Sequence, residues 1–222
     1  MGLFYFCLQS IDLNRAWIEF SQADPFWLFC AVFFNACILL VWTSLWYLLL
    51  PKKYKAPFFR VFQANSYMST SCNTIPFPGG HAVGVMALAR RAEVGHSVAL
   101  SVLALDQLME GFAKIFVLTL VAIFVPLPEV MSQGIFVFVG VVVIFASTLF
   151  YLAHRPPSVE EGQSATSWTG KIKGFVSGWS VHLEILRDLP IFSLGLFLGL
   201  LMMCVQTLGI WAVQKSLHLD LP

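Results

Sequence analysis

HSVALSVLALDQLMEGFAKIFVLTLVAIFVP, residues 96–126, is long and apolar enough to cross a bilayer, yet it carries Asp106, Gln107, Glu110 and Lys114. A transmembrane helix needs about 20 predominantly apolar residues. An ionised side chain at the centre of the hydrocarbon costs about 2.5–3.5 kcal/mol on insertion scales, so such groups face a protein interior or a wet cavity. Asp106, Glu110 and Lys114 recur at every fourth position, which at about 3.6 residues per turn puts them along one slowly rotating stripe. Glu110 is predicted to pair with Lys114. Asp106 is then the odd charge, and neighbouring carboxylates in low dielectric repel unless a cation or basic side chain lies between them. Two readings of the stripe stand side by side: a structural ion pair that locks one helix against its neighbours, and a substrate or proton site.

The rest of the chain has the same character. Of its 222 residues 58% are hydrophobic and 11% charged, against about 25% charged in soluble domains, and the mean hydropathy is +0.79. The fold class expected is all-α, a polytopic transmembrane helical bundle forming a single integral membrane domain. A net charge of +1 gives no basis for a nucleic-acid partner, since phosphate binding rests on clustered Lys and Arg. Cys7, Cys30, Cys37, Cys72 and Cys204 show no CxxC spacing and lie mostly in apolar runs, as packing residues do. No metal site and no cofactor is expected.

The clear spans are residues 25–50, 97–125, 134–153 and 191–213. Asn35 in the first and Gln206 in the last are expected to form helix-to-helix hydrogen bonds. Trp42, Trp46 and Tyr47 at one end, with Trp211 at the other, have the look of interfacial anchors. MGLFYFCLQ, residues 1–9, is too short to span and lacks a basic n-region. Orientation follows from Lys and Arg in the short loops: PKKYKAPFFR (51–60) is basic and predicted cytoplasmic, whereas the turn 126–133 holds neither residue. The loop 154–190 falls on the cytoplasmic side as well. Within it VEEGQSATS (159–167) reads as solvated, and TGKIKGFVSGWSVHLEILRDL (169–189) as either a surface amphipathic segment or glycine-rich irregular structure.

Residues 57–93 do not fit a simple span. PFFRVFQANSYMSTSCNT (57–74) is rich in small and amide polar side chains, breaks at IPFPGGHAVG (75–84), and resumes as VMALARRAEV (85–94). Basic residues at both ends, Arg60 and the pair Arg90 and Arg91, put both ends in the cytoplasm. A Pro/Gly-broken re-entrant helical hairpin satisfies this. Pro76 and Pro78 cannot donate backbone hydrogen bonds, and Gly79 and Gly80 permit unusual backbone shapes. Irregular backbone at membrane depth survives only when buried in protein or lining a cavity. The second half-helix, from about His81 onward, would aim the positive end of its dipole at an anionic group. The alternative is an ordinary surface turn between helices.

NTIPFPGG (73–80), followed by Arg90 and Arg91, VALSVLA (98–104) and LDQLMEG (105–111), resembles the first half of the lysylphosphatidylglycerol synthase transmembrane, or flippase-like, family of bacterial membrane proteins. Asn73, Pro76 and Gly80 match the family's break, and Asp106 and Glu110 its later acidic pair. The likeness runs from SIDLNRAWIEF (10–20) to SLHLDLP (216–222). Pro78, His81 and Gly84 stand where the family often has Arg, Glu and Arg, and Gln107 stands where Arg follows the first acidic residue.

The resemblance implies transport of an anionic or modified phospholipid, or another lipid-linked head group, between leaflets of the bacterial cytoplasmic membrane. Membrane phospholipids are the implied partners, together with a second copy or a separate subunit supplying the related second half that family members carry. The cavity would be bounded by residues 65–74, Asn73 among them, by the break from Pro76 through Gly79 to Gly80, and by the stripe of Asp106, Glu110 and Lys114. The break and Lys114 would receive phosphate oxygens. Arg90 and Arg91 would gather anionic lipid at the mouth, or serve only as a topology signal. His81 is either a proton-coupling residue or a hydrogen-bonded structural one. A non-transporting accessory subunit for lipid or envelope-glycan synthesis is the alternative. A head-group enzyme is disfavoured, because HExxH, GxSxG, paired-Cys and phosphate-cradling motifs are all missing from the sequence.

Overall fold

The computed structural model describes residues 17, 20–54, 56–75, 78–124, 128–154 and 188–219. Pro76, the opening MGLFYFCLQ, and the segment 155–187, including the expected solvated and amphipathic stretches, lie outside the described residues.

Every regular element among the described residues is helical. In chain order these are α1 (Pro25–Leu49), α2 (Phe58–Thr74), α3 (Gly79–Arg91), α4 (His96–Phe124), α5 (Glu129–His154) and α6 (Leu189–Ser216), with a short 3-10 turn at Lys52–Tyr54. Four of them are long and apolar enough to cross a membrane: Pro25–Leu49, His96–Phe124, Glu129–Tyr151 and Leu189–Ser216. The third begins at Glu129 rather than at 134. The Pro128 carbonyl accepts the Met131 and Ser132 amides there, and a carboxylate in the first turn complements the helix dipole.

The ends of the spans have readable chemistry. Asp24 caps α1, its Oδ1 accepting the Phe26 amide at 2.9 Å, and Pro25 follows at the first helical position, where a missing N–H costs nothing. Asp188 does the same for α6, with Oδ1 3.4 Å from the Ile191 amide.

The helices divide into two compact units. The first joins residues up to Ile38 with Cys204–Pro222. In it the Asp24 amide donates to the Ser216 carbonyl at 2.9 Å, and Trp27 meets Trp211 edge to face at 5.0 Å. A Cβ on Gly209 would lie 3.6 Å from Phe34 Cβ. These pairs run in opposite directions along the two helices, so the segments are antiparallel. Asn35 and Gln206 are both exposed here, and neither makes the expected interhelix hydrogen bond. The reason is azimuth: the contact face is taken by Trp27, Phe34, Gly209 and Trp211.

The second unit, Leu39–Met203, holds the main core. Leu45, Trp46, Leu49, Val61, Met68, Leu88, Val98, Val102, Leu105 and Leu108 interlock with little or no exposure. α2 and α3 form an antiparallel hairpin that leaves and returns at the end where α1 stops and α4 starts. Its seam sets glycines against the facing helix, Gly80 against backbone and Gly84 against a side chain. A Cβ on Gly80 would sit 2.6 Å from Cys72 Cα, and one on Gly84 2.6 Å from Met68 Cγ. At the open end Arg60 forms an ion pair with Glu93. Glu93 adopts φ 55° in the position after α3 that usually favours glycine, while Val94 N–H bonds back to the Ala89 carbonyl at 3.1 Å in a Schellman closure.

α4 is closely approached by its neighbours through small residues. A Cβ on Gly111 would be 3.2 Å from the Val142 methyls of α5, and one on Gly199 of α6 would be 3.3 Å from the Met109 carbonyl oxygen. Gly195 meets the Met109 sulfur at 3.4 Å in the same sense. Gly195 and Gly199 thus form a small-xxx-small seam of the kind that lets membrane helices pack.

Candidate functional site

The polar stripe of α4 sits where that helix passes from buried to exposed. Its residues from Val98 to Ala113 include all its buried positions, whereas Phe116, Ile123 and Phe124 further on are 57%, 71% and 76% exposed. Asp106 is fully buried. Trp42 of α1 donates its indole Nε1–H to Asp106 Oδ1 at 3.0 Å, and Gln107 Nε2 donates to Oδ2 at 3.3 Å. Trp46, one helical turn after Trp42, is fully buried and its Nε1 has no hydrogen-bond partner. The expectation that Trp42 and Trp46 anchor the chain at the membrane interface is therefore overturned. Trp46 is enclosed in the core, and Trp42 is turned to α4, where a buried carboxylate needs a donor.

Gln107 also lies 3.4 Å from Glu110 Oε2, so one amide stands between the two carboxylates. Glu110 and Lys114 form the expected ion pair at 2.6 Å, with side chains 25% and 42% exposed respectively. Exposure thus rises along the stripe from Asp106 through Glu110 to Lys114. Neutral donors satisfy the sealed end, and a cation stands at the open end. Gln107, which stands where the resembling family has Arg, supplies a bridge without adding charge.

A second polar group lies on the hairpin. Asn65 is fully buried and its amide lies 3.4 Å from Thr43 Oγ1 of α1, while its Oδ1 is buried without a partner. Four further polar side chains of α2 bond to their own helix. Ser66 donates to the Phe62 carbonyl at 2.8 Å, Thr70 to Ser66 at 3.0 Å, Asn73 to Ser69 at 3.0 Å and Thr74 to Thr70 at 3.0 Å. Their hydroxyl donors are spent internally, so the outward face offers lone pairs. At the tip, Cys72 Sγ and His81 Nδ1 are 3.8 Å apart.

The sequence-predicted residues thus fall into separate groups. Asp106, Glu110 and Lys114 are joined on α4. Asn73, Gly79, Gly80 and His81 lie at the hairpin tip. α3 starts at Gly79 rather than His81, and Gly80 is buried against Cys72 backbone, which gives it a packing role. Arg90 and Arg91 are at the far end of α3 and divide their work. Both are exposed, and Arg91 lies over the Tyr67 ring at 5.5 Å and donates to its hydroxyl at 3.1 Å. Sequence reasoning missed Trp42 and Gln107 as partners of Asp106. It also missed Gly84 and the Gly195–Gly199 seam, for which the spacing of small residues was the available signal.

Several apolar helices of bilayer length around a charged internal stripe define a multi-pass helical membrane protein. The chain belongs to the family of the lysylphosphatidylglycerol synthase TM region, whose family model matches residues 1–222, the whole chain. No curated protein and no solved structure matches it.

Proposed function

We propose that this chain is a flippase-like transporter of the bacterial cytoplasmic membrane that moves phospholipid or lipid-linked head groups between leaflets and performs no chemistry of its own. The observation that carries this reading is the graded polar stripe of α4, sealed at Asp106 and open at Lys114. Partly exposed charges in an apolar span require water, protein or a head group beside them. Lys114 is the cation for phosphate oxygens. Glu110 holds that ammonium in place and yields it when a phosphate arrives. Asp106, enclosed by Trp42 and Gln107, fixes the stripe to α1 and touches no lipid. On the hairpin, the lone pairs of Thr70, Asn73 and Thr74 accept from head-group hydroxyls or ammonium. Gly79 and Gly80 set the close approach of α2 and α3, and His81 lies beside them. Arg90 collects anionic lipid at the cytoplasmic side by long-range attraction.

The alternative is an accessory subunit of a lipid or envelope-glycan synthesis complex, with a second copy or another chain completing the assembly. The observation favouring it is how fully the stripe satisfies itself: Trp42, Gln107 and Lys114 already serve both carboxylates.

A leaflet assay separates the two. Full-length protein is reconstituted in vesicles carrying a fluorescent phosphatidylglycerol, and dithionite quenching reports movement. Transport predicts that Lys114→Met and Glu110→Gln abolish movement with the fold intact. No movement by the wild type, or movement indifferent to both changes, would remove the transport reading and leave the accessory one.

A further inference from the structure

Asn35 of α1 and Gln206 of α6 are exposed amides in two apolar spans, and neither has a hydrogen-bond partner among the described residues. Both lie deep in their spans. At about 1.5 Å per residue, Asn35 stands about 15 Å from the Pro25 end of α1 and Gln206 about 15 Å from the Ser216 end of α6. That is half of the roughly 30 Å of a hydrocarbon core. An amide at this depth has no water to bond, and leaving it without a partner is costly.

Within the first unit the two amides share a level and a side. A Cβ on Gly209 would lie 3.6 Å from Phe34 Cβ, which fixes the register of the antiparallel pair. One residue on from that contact, Asn35 stands opposite Leu208, so Gln206 is within about 3 Å of the same depth. Around the helices, Asn35 is turned from Phe34 by about 100°, and Gln206 from Gly209 by about 60° in the same sense. In an antiparallel pair, turns of one sense about opposed axes point to one side. Val32, Ile210 and Val213 nearby are exposed as well, but lipid tails are as apolar as they are. The amides are the groups that a bilayer leaves unsatisfied.

We propose that this side of the α1–α6 pair is an interface with a second copy of the chain, Asn35 of each copy bonding Gln206 of the other. Two copies inserted alike are related by a two-fold axis along the membrane normal, and that axis keeps every residue at its own depth. The amide level of one copy therefore faces the amide level of the other. Each amide carries both a donor and an acceptor, so the surface is complementary to itself, as an isologous interface requires. Any other chain would need amides of its own at that depth. The interface stands apart from Glu110 and Lys114 and holds whether or not the chain transports lipid. By mass action, pairs of this size are expected to part in dilute detergent, so the fold of one copy does not depend on them.

The test uses full-length protein in two populations, labelled with donor and acceptor fluorophores, mixed in vesicles of phosphatidylethanolamine and phosphatidylglycerol. Energy transfer is followed as the protein is diluted with lipid. Wild type is expected to hold its transfer well above the random-encounter level. Asn35→Leu and Gln206→Leu are each expected to weaken association by at least about ten-fold, since either change removes both reciprocal pairs at about three-fold or more apiece. The double variant is expected to lose nothing further, and Asn35→Gln, which keeps the amide, to stay associated. Thermal midpoints in detergent confirm that each variant is folded. Wild-type transfer that falls to the random-encounter level, or association unchanged in both leucine variants, would overturn the interface. Losses that add in the double variant would overturn the reciprocal pairing.

Discussion

Replacing Gly80 with alanine isolates what the hairpin seam requires. In an open helix the change is favourable, because glycine is about 0.8–1.0 kcal/mol worse than alanine in a helix interior. Gly140 of α5, with nothing within 4 Å of its would-be Cβ, is the internal reference. At Gly80 the added carbon would meet Cys72 Cα at 2.6 Å and Cys72 N at 2.7 Å. These are backbone atoms of a facing helix and cannot rotate away, so α2 and α3 must separate along their whole contact. Overpacking of this kind costs about 1–3 kcal/mol. Gly84→Ala is the intermediate case: Met68 Cγ and Sδ at 2.6 Å can swing away with the flexible side chain, whereas Met68 Cβ at 2.7 Å is held by its backbone and must shift with it. The expected order of thermal midpoints in detergent is Gly140→Ala at or above wild type, then Gly84→Ala, then Gly80→Ala several degrees below. Gly80→Ala as stable as Gly140→Ala would refute the close approach, and with it the hairpin geometry that places Cys72, Asn73 and His81.

Trp42→Phe removes a donor from a buried carboxylate and is expected to cost about 1.5–3 kcal/mol, measured by thermal unfolding. Combined with Asp106→Asn the losses should add to less than their sum, since both break one bond. Glu110→Gln breaks a partly exposed pair, for which about 0.3–0.5 kcal/mol is usual, so its thermal midpoint should barely move while any lipid movement is lost. Asn35→Leu should leave stability within about 0.5 kcal/mol of wild type. A larger loss in detergent would show that the amide has a partner after all.

The amino-acid pattern was legible wherever one helix sufficed to read it. The spans follow from apolar length, and the Glu110–Lys114 pair follows from spacing on one helix. The two halves of the hairpin follow from the proline and glycine break between them. What could not be read was azimuth between helices. Trp42 and Trp46 near the end of an apolar run look the same whether they face lipid head groups or a carboxylate on another helix, and only tertiary packing decides. Asn35 and Gln206 erred the other way: an amide in an apolar span was expected to find a partner, but Trp27, Phe34 and Trp211 took the contact face. Gln107 was noticed as a departure from the family pattern, but its bridging place between Asp106 and Glu110 depends on rotamers, which sequence does not carry.

Trp42 and Thr43 are consecutive residues of α1, and they reach different helices: Trp42 contacts Asp106 on α4, and Thr43 contacts Asn65 on α2. Consecutive side chains on a helix diverge by about 100°. Turning α1 about its axis to shorten one of these contacts lengthens the other, so the helix is keyed like a shaft held by two pins at different angles. Rotation is the expensive motion for it. The contact of Gly195 and Gly199 with Met109 is of another kind: it carries no side-chain hydrogen bond among the described residues, so α6 and α4 are matched there by shape and not by polar pins.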